Sequence, residues 1–151
     1  YIRRGYPLSC FEDAVRRLRS EDIEVIVHTI LGLPGESTQD ILNTIEYLNH
    51  QDIQGIKLQL LHVLRGTDLA SDYEKGLFCT YERDEYISLV ISCLEHLRPD
   101  MVIHRITGDG PKDLLIAPLW ASRKREVLNL LHHQMKESHN YQGRQTNWQI
   151  N

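Results

Sequence analysis

Residues 23–36 read IEVIVHTILGLPGE, and this stretch decides the fold class that we predict. Its first nine residues are too continuously apolar for a strand that has one face in water. Such a run is typical of a strand in a parallel sheet that is buried on both faces. The Gly-Leu-Pro-Gly segment then favours a tight turn. We therefore predict a buried strand over residues 23–31, a turn, and a helix that Ser37 caps.

The sequence on either side alternates between helix and strand patterns. Ser9 and Glu12 form an S-x-x-E pattern that predicts a capping box at the first helix. Further elements are predicted as strands over residues 55–63 and 101–106 and as helices near residues 86–97 and 122–136. Strands that are joined through helices pair in parallel. The order α-β-α-β-α-β-α thus predicts either an open doubly wound sheet or an arc of a β/α barrel, and the opening helix favours the arc.

The composition is that of an ordinary globular protein. The chain has 151 residues, of which 41% are hydrophobic and 25% charged. A net charge of −4 predicts no general attraction to nucleic acid or anionic membranes, although a local basic face stays compatible with it. No apolar run approaches the roughly 18 residues of a spanning helix. We expect one unit over residues 1–137, a flexible polar tail over residues 138–151, and a cytoplasmic location.

The three cysteines form neither a disulfide framework nor a cluster motif. Cys10, Cys79 and Cys93 are far apart, and no C-x-x-C or C-x-x-x-C-x-x-C spacing occurs. Cys93 lies on an apolar helical stripe, which favours packing in the core. Reduced thiols in the cytosol are the default expectation.

Glycines follow all three predicted strands, and ligands of parallel β/α folds bind at these strand ends. The turn at residues 32–36 offers backbone polar groups beside an apolar Leu-Pro pair, which suits an adenine edge. A plain strand-to-helix turn is the alternative there. The spacing matches neither a P-loop nor a G-x-G-x-x-G fingerprint.

Other polar residues near the strand ends allow several interpretations. His28, His62 and His104 with Asp109 would suit zinc, but structural or substrate-contacting histidines are favoured. On the more polar face of the second strand, Lys57 and Gln59 would line a barrel lumen. Near the amino terminus, Arg3 and Arg4 are candidates to hold an anionic group. The basic run Arg123-Lys124-Arg125 is either a solvated face or a docking site for an anionic partner such as RNA.

Four segments together resemble the radical-SAM superfamily, specifically the YhcC-type group, which is akin to the catalytic subunit of Elongator. These segments are RRGY at residues 3–6, GLPGE at residues 32–36, LHVLRGT at residues 61–67 and IHRITGDGP at residues 103–111. The resemblance covers about residues 1–143. It implies that the chain is the C-terminal part of a partial (β/α)6 TIM-type barrel with parallel strands and a C-terminal helix.

The resemblance also implies an activity for the parent enzyme. A three-cysteine loop would bind a [4Fe–4S] cluster that cleaves S-adenosylmethionine (SAM) reductively, giving a 5′-deoxyadenosyl radical that abstracts hydrogen from substrate. The substrate is unknown, with tRNA as the candidate that the Elongator kinship suggests. The residues that would contact SAM are Arg3, Gly32, Leu33, Pro34, Gly35, Glu36, Leu61, His62 and Val63. Those on the substrate side would be Lys57, Gln59, His104, Arg105, Asp109 and Lys112.

The cluster cysteines are missing from these 151 residues, so we expect this chain alone to bind no cluster and to be inactive. We also expect an uncovered barrel edge to drive self-association. Two other functions stay open: a flavodoxin-like module that binds a nucleotide, and a zinc-dependent hydrolase barrel. Five strands covered by helices on both faces would favour the flavodoxin-like module, whereas three or four strands with an open edge would not.

Overall fold

Three parallel strands form the centre of the structure. The structure is a computed structural model, and it describes residues 5–108 and 110–146. The sheet order is β1-β2-β4, so the second strand lies between the other two. The elements are α1 Leu8–Arg19, β1 Ile26–Leu31, α2 Thr38–Asn49, β2 Gly55–Leu60, β3 Val63–Leu64, α3 Asp68–Glu74, α4 Arg83–His96, β4 Val102–Arg105, β5 Leu115–Ala117, the 3-10 helix Leu119–Ser122, and α5 Lys124–Glu137.

Helices cover one face of this sheet and build the main core against it. Ile56, Leu58 and Leu60 of β2 are at most 1% exposed and pack in one cluster with apolar residues of α2, α4 and α5. Cys93 of α4 is part of this cluster, as its position on an apolar stripe predicts. A doubly wound sheet would carry helices on both faces, so the one-sided arrangement favours a barrel arc.

The opposite face of the sheet is uncovered, which corrects our prediction for the first strand. Exposure alternates along β1, where Ile26 and Ile30 are 41% and 39% exposed while Leu31 is buried. Val102 on β4 is also exposed, at 55%. The prediction that this strand is buried on both faces is therefore wrong, because its continuous apolar pattern reflects one packed face and one lumen face.

The start of the first helix also differs from the prediction. Helix α1 begins at Leu8 after Pro7, and no side chain caps it. Ser9 is already helical, so the capping box of Ser9 and Glu12 does not form. The box at α2 does form, because Ser37 accepts the N–H of Asp40 and the Asp40 carboxylate accepts the N–H of Ser37.

A small second unit beyond β2 is absent from our predictions. The predicted strand over residues 55–63 ends at Leu60, and β3 pairs instead with β5 in an antiparallel ribbon. Val63, Ala70 and Ala117 form its buried centre, with Tyr73 and Phe78 packed against them. Helix α3 lies between the predicted strand over residues 55–63 and the predicted helix near residues 86–97, where we predicted no element. This unit lies directly after the carboxyl end of β2.

The polar tail is held against the body of the protein as far as the structure describes it. The side-chain amide of Gln142 donates to the carbonyls of Arg98 and Met101, both at 2.8 Å. The N–H of Gly143 donates to the carbonyl of Leu94 at 3.0 Å. Our prediction of a loose tail is thus wrong for residues 138–146, because polar side chains here serve backbone groups of α4 and the turn after it. Residues 147–151 lie outside the described part.

A buried polar network joins the amino-terminal ends of the strands. The Arg98 guanidinium donates to the carbonyls of Asn49, Gln51 and Ile53. In return, the Asn49 side chain accepts the N–H of Arg98 at 2.9 Å and donates to the carbonyl of His96 at 2.8 Å. Because both side chains are at least nine-tenths buried, these bonds satisfy groups that water does not reach. The network therefore fixes the carboxyl-terminal ends of α2 and α4 at the amino-terminal end of the sheet.

None of the helices in the described part of the chain is both long and apolar enough to cross a lipid bilayer.

We predict that Asn49→Ala lowers the free energy of unfolding by about 2–4 kcal/mol, because it leaves the buried Arg98 N–H and His96 carbonyl without their partner. Urea denaturation followed by circular dichroism measures this change. The matched control is Asn43→Ala on the same helix, where an exposed amide oxygen accepts the side-chain N–H of exposed Gln39. The control is expected to change stability by less than about 0.5 kcal/mol. Equal effects of the two substitutions would contradict the importance of the network.

Candidate functional site

The carboxyl ends of the three parallel strands meet along one edge of the sheet. The N–H of Leu61 donates to the carbonyl of Leu31 at 3.0 Å, which joins the ends of β1 and β2. A methyl group at Gly108, after β4, would overlap the imidazole of His62. Residues 32, 62 and 108 therefore follow one another along a common rim, as the parallel strand order predicts.

The turn at residues 32–36 is built around two glycines with left-handed backbone angles. Gly32 has a φ of +87°, and a Cβ there would meet the ring of Tyr81 at 2.9 Å. Gly35 has a φ of +82°, and a Cβ there would have no neighbour within 4 Å. Both positions require glycine for their backbone, but only Gly35 faces open space. The open backbone at Gly35 is the part of the turn that a ligand can approach.

The carboxylate of Glu36 braces this turn from within. It accepts the N–H of Leu33 at 3.2 Å and also interacts with the backbone of Gly32. Burial raises the pKa of Glu36, and the two backbone hydrogen bonds oppose that rise. A carboxylate that is bound to the turn's own N–H groups shapes the loop. Glu36 thus stabilises the turn, and its predicted contact with a cofactor stays a prediction.

The amino terminus of α2 already has an acidic cap. Hydrogen bonds from the side chain and backbone of Ser37 lower the pKa of the Asp40 carboxyl, which keeps it ionised next to the positive end of the helix. This negative charge offsets the positive potential of the helix amino terminus. The turn is therefore better suited to a neutral, flat group than to a phosphate.

A shallow groove of about 430 Å³ lies beside the turn. Residues 32–36 form one wall, and Leu77, Phe78, Cys79, Thr80, Tyr81 and Glu85 form the other. Tyr81 is held there because its carbonyl accepts the indole N–H of Trp120 at 3.0 Å. Leu33 and Pro34 line this groove beside Gly35, where a Cβ would have no neighbour within 4 Å.

The end of the second strand contributes side chains in two directions. Leu61 is 8% exposed and lies beside the end of β1. His62 lies against Gly108 and Gly110, with its ring 3.5 Å from a Cβ placed on Gly110. Val63 is fully enclosed in the second core with Ala70 and Ala117. Of the three residues that we predicted to meet adenine, Val63 has no side-chain surface for a ligand.

Lys57 and Gln59 lie on the uncovered face of the sheet, where we predicted a lumen. Gln59 Oε1 is 2.6 Å from His28 Nε2, so these neighbours on β2 and β1 are hydrogen-bonded. The register pairs His28 with Lys57, which places all three side chains on one face. The structure thus brings these polar side chains together on the uncovered face, and their predicted contact with a substrate stays a prediction.

The structure separates the histidines that suggested zinc. A Cβ on Gly55, at the amino-terminal end of β2, would lie 2.7 Å from the ring of His104. His62 lies beyond the opposite end of the same strand. His104 thus lies beside the amino-terminal end of β2, because side chains alternate and a register shift follows Ile56, and its predicted place on the substrate side stays a prediction. The described residues contain no group of three or more His, Cys, Asp or Glu arranged for a metal.

The other predicted site residues lie in separate places or outside the described part of the chain. Arg105 lines a second groove between β4 and α5, together with His104, Lys124 and His132. Lys112 lines a rim groove with His62. Arg3, Arg4 and Asp109 lie outside the described residues.

The rim groove that contains Lys112 is the feature that our sequence reasoning missed. It measures about 560 Å³ and lies between the loop after β4 and the beginning of α5. Its lining includes His62, Gly108, Lys112, Arg123, Lys124 and Arg125. The run at residues 123–125 was visible in the sequence as a basic patch. Its place beside the rim was not, because the two walls are brought together only by the packing of α5.

Comparison with known proteins agrees with this geometry. The model of the family described as Radical_SAM C-terminal domain matches residues 53–137. YtqA of Bacillus subtilis is 40% identical over 143 residues, which are 95% of this chain and 44% of YtqA. Protein YhcC of Escherichia coli K12 is 31% identical over 123 residues, which are 82% of this chain and 40% of YhcC. The chain thus spans less than half the length of these relatives.

A solved structure shows the same fold. The archaeal Methanocaldococcus infernus Elp3 with an N-terminal deletion superposes with a TM-score of 0.77 at 18% identity, covering 93% of this chain and 33% of that one. The predicted partial barrel and the predicted likeness to the YhcC-type group are both confirmed. The chain therefore belongs to the radical-SAM family, as a Radical_SAM C-terminal domain.

Proposed function

We propose that this chain supplies the adenosyl-binding part of the rim in an enzyme that cleaves SAM reductively. The observation that supports this proposal is the adjacency of the Gly32–Gly35 turn, His62 and the loop at Gly108 along one edge of the sheet. The complete protein is proposed to carry the [4Fe–4S] cluster on residues outside this chain. Its substrate is proposed to be an RNA such as tRNA, on the basis of the Elongator resemblance alone.

The residues at the turn fit an adenine ring. A Cβ placed on Gly35 would meet nothing within 4 Å beyond the adjacent residues, so the turn is open there, and Leu33 and Pro34 offer apolar surface next to it. A flat heteroaromatic ring needs this combination, because its faces are apolar and its edge carries hydrogen-bonding groups. The ionised cap at Asp40 disfavours a phosphate at the same place, but not a neutral base. Leu61 adds apolar surface from the neighbouring strand end.

The chain's own residues would act by positioning. Glu36 holds the turn in shape, and Tyr81 packs on Gly32 from outside. His62 is held by the glycines at 108 and 110, so its ring has a defined place between the turn and the loop after β4. When SAM and a reduced cluster are bound, they would supply methionine and a 5′-deoxyadenosyl radical that abstracts hydrogen from the substrate. The rim would orient the adenosyl group and keep water away from it.

The direct test uses the complete protein that contains this chain. After anaerobic reconstitution with iron and sulfide, incubation with SAM and dithionite is expected to release 5′-deoxyadenosine and methionine, which liquid chromatography with mass spectrometry quantifies. The control omits dithionite, since cleavage requires one electron. A reconstituted protein with a full cluster content that forms no 5′-deoxyadenosine would refute the proposed function.

A pair of glycine substitutions tests the rim. Gly108→Ala is expected to raise the KM for SAM about tenfold, because the new methyl group displaces the His62 ring from its place. The obstructing atoms belong to a side chain that is able to move, so the free energy of unfolding should fall by less than about 2 kcal/mol. Steady-state formation of 5′-deoxyadenosine measures the KM.

The matched control is Gly110→Ala, two residues further along the same loop. Its Cβ would lie 3.5 Å from His62, which is an ordinary van der Waals distance, so the KM for SAM should stay within about twofold. If both variants keep the KM of the unsubstituted protein, His62 has no part in holding SAM.

A further inference from the structure

The groove between the loop after β4 and α5 concentrates positive charge in a chain that is negative overall. Four cationic side chains line it, namely Lys112, Arg123, Lys124 and Arg125, and Glu126 is the one carboxylate among the described lining residues. The whole chain has a net charge of −4. Such a local excess against the overall sign indicates a place where the protein meets negative charge.

The cations come from two segments that are far apart in sequence. Lys112 belongs to the loop after β4, while residues 123–125 begin at the N-cap of α5. They share the groove because Ala121 and Val127, on either side of the basic run, are buried in the main core. A solvated face needs no such convergence, whereas the binding of an anion from two sides does.

Three consecutive cations at this place are unfavourable for the isolated helix. The amino-terminal end of a helix carries partial positive charge, so Lys124 and Arg125 in the first turn are repelled by it. Glu126 relieves part of this repulsion through its ion pair with Arg123 at 3.5 Å. An anion in the groove would add favourable charge beside Arg125. The groove therefore combines a cavity, convergent cations and a local charge that favours a multiply charged ligand.

We propose that this groove binds a phosphate group of the enzyme's substrate. Arg125 and Lys112 would contact the phosphate oxygens from opposite walls, and the side-chain amide of Asn129 adds a neutral donor to the lining. Leu115 and Ala121 give the groove an apolar part that suits the organic portion of such a substrate. A phosphorylated small molecule and a nucleic-acid backbone both present this chemistry.

His62 connects this groove to the proposed adenosyl site. The ring of His62 lies against Gly108 and Gly110, and both glycines line the groove. In sequence, His62 follows Leu61 at the end of β2. A phosphate bound here would hold its substrate next to the adenosyl group. That assignment to the substrate rests on the proposed function, whereas phosphate binding by the groove does not.

The test measures binding to the complete protein without SAM and without reductant, so its failure is distinguishable from a failure of SAM cleavage. The probes are inorganic pyrophosphate, by isothermal titration calorimetry, and a fluorescein-labelled oligouridylate, by fluorescence anisotropy at several salt concentrations. The double variant Lys112→Gln with Arg125→Gln is expected to bind about tenfold or more weakly to the probe that the unsubstituted protein binds. Both side chains are exposed, and thermal denaturation confirms that the variant is folded.

The matched control is Lys136→Gln, which removes one exposed cation from the last turn of the same helix and should leave the affinity within about twofold. Binding of pyrophosphate alone identifies a phosphorylated small molecule. Tighter binding of the oligouridylate identifies a nucleic-acid backbone. In that case, the slope of log affinity against log salt concentration should become shallower by about 0.7 for each phosphate contact that a substitution removes. The proposal is overturned if neither probe binds, or if the double variant binds as tightly as the control.

Discussion

The parallel pairing of β1, β2 and β4 is the constraint on which the whole site depends. Helices α2 and α4 return the chain to the same end of the sheet after each strand, so the three strands run in one direction. Their carboxyl ends then lie at one edge, and the turns that follow them become neighbours. Residues 32, 62 and 108 are distant in sequence and meet only for this reason. An antiparallel arrangement of the same segments would distribute them over both edges.

The two ends of the sheet have different tasks. At the amino-terminal end, the buried network of Arg98 and Asn49 saturates backbone groups of α2, α4 and the segment before β2. At the carboxyl end, the turn at Gly35 leaves backbone open instead. The buried hydrogen bonds that stabilise the fold therefore lie at the end of the sheet away from the proposed ligand site, and the opposite end keeps open backbone. This division is general for parallel β/α folds.

Much of this arrangement follows from local sequence patterns. The helices α2, α4 and α5 have apolar residues at helical spacing, and the strands before the glycines have the apolar content of a parallel sheet, so their order and the common rim were predictable. The position of His104 was not, because one register shift in a short strand changes which side chains face the rim. The face that a strand exposes depends on what covers it, which explains the error for Ile26 and Ile30.

Features that depend on distant partners escaped the sequence patterns altogether. The β3–β5 ribbon joins two short segments about fifty residues apart, and neither is long enough to show alternation. The polar tail was similarly misjudged, because Gln142 serves carbonyls that only the folded chain places within reach. A polar side chain thus indicates looseness only when no buried backbone group nearby requires a partner.

The net charge of the chain gave little information about its partners for a related physical reason. Electrostatic attraction depends on charges within roughly a Debye length of about 8–10 Å, so a sum over all residues averages away what a ligand meets. The acidic side chains at Asp40 and Glu36 lie at the turn after β1, and the cations of residues 112 and 123–125 lie beyond β4. The rim is therefore polarised along its length, with His62 between its acidic and basic sides. The Asp40 carboxylate disfavours an anion beside the turn after β1, whereas the cations beyond β4 favour one, which matches the order of the proposed adenosyl and phosphate sites along the rim.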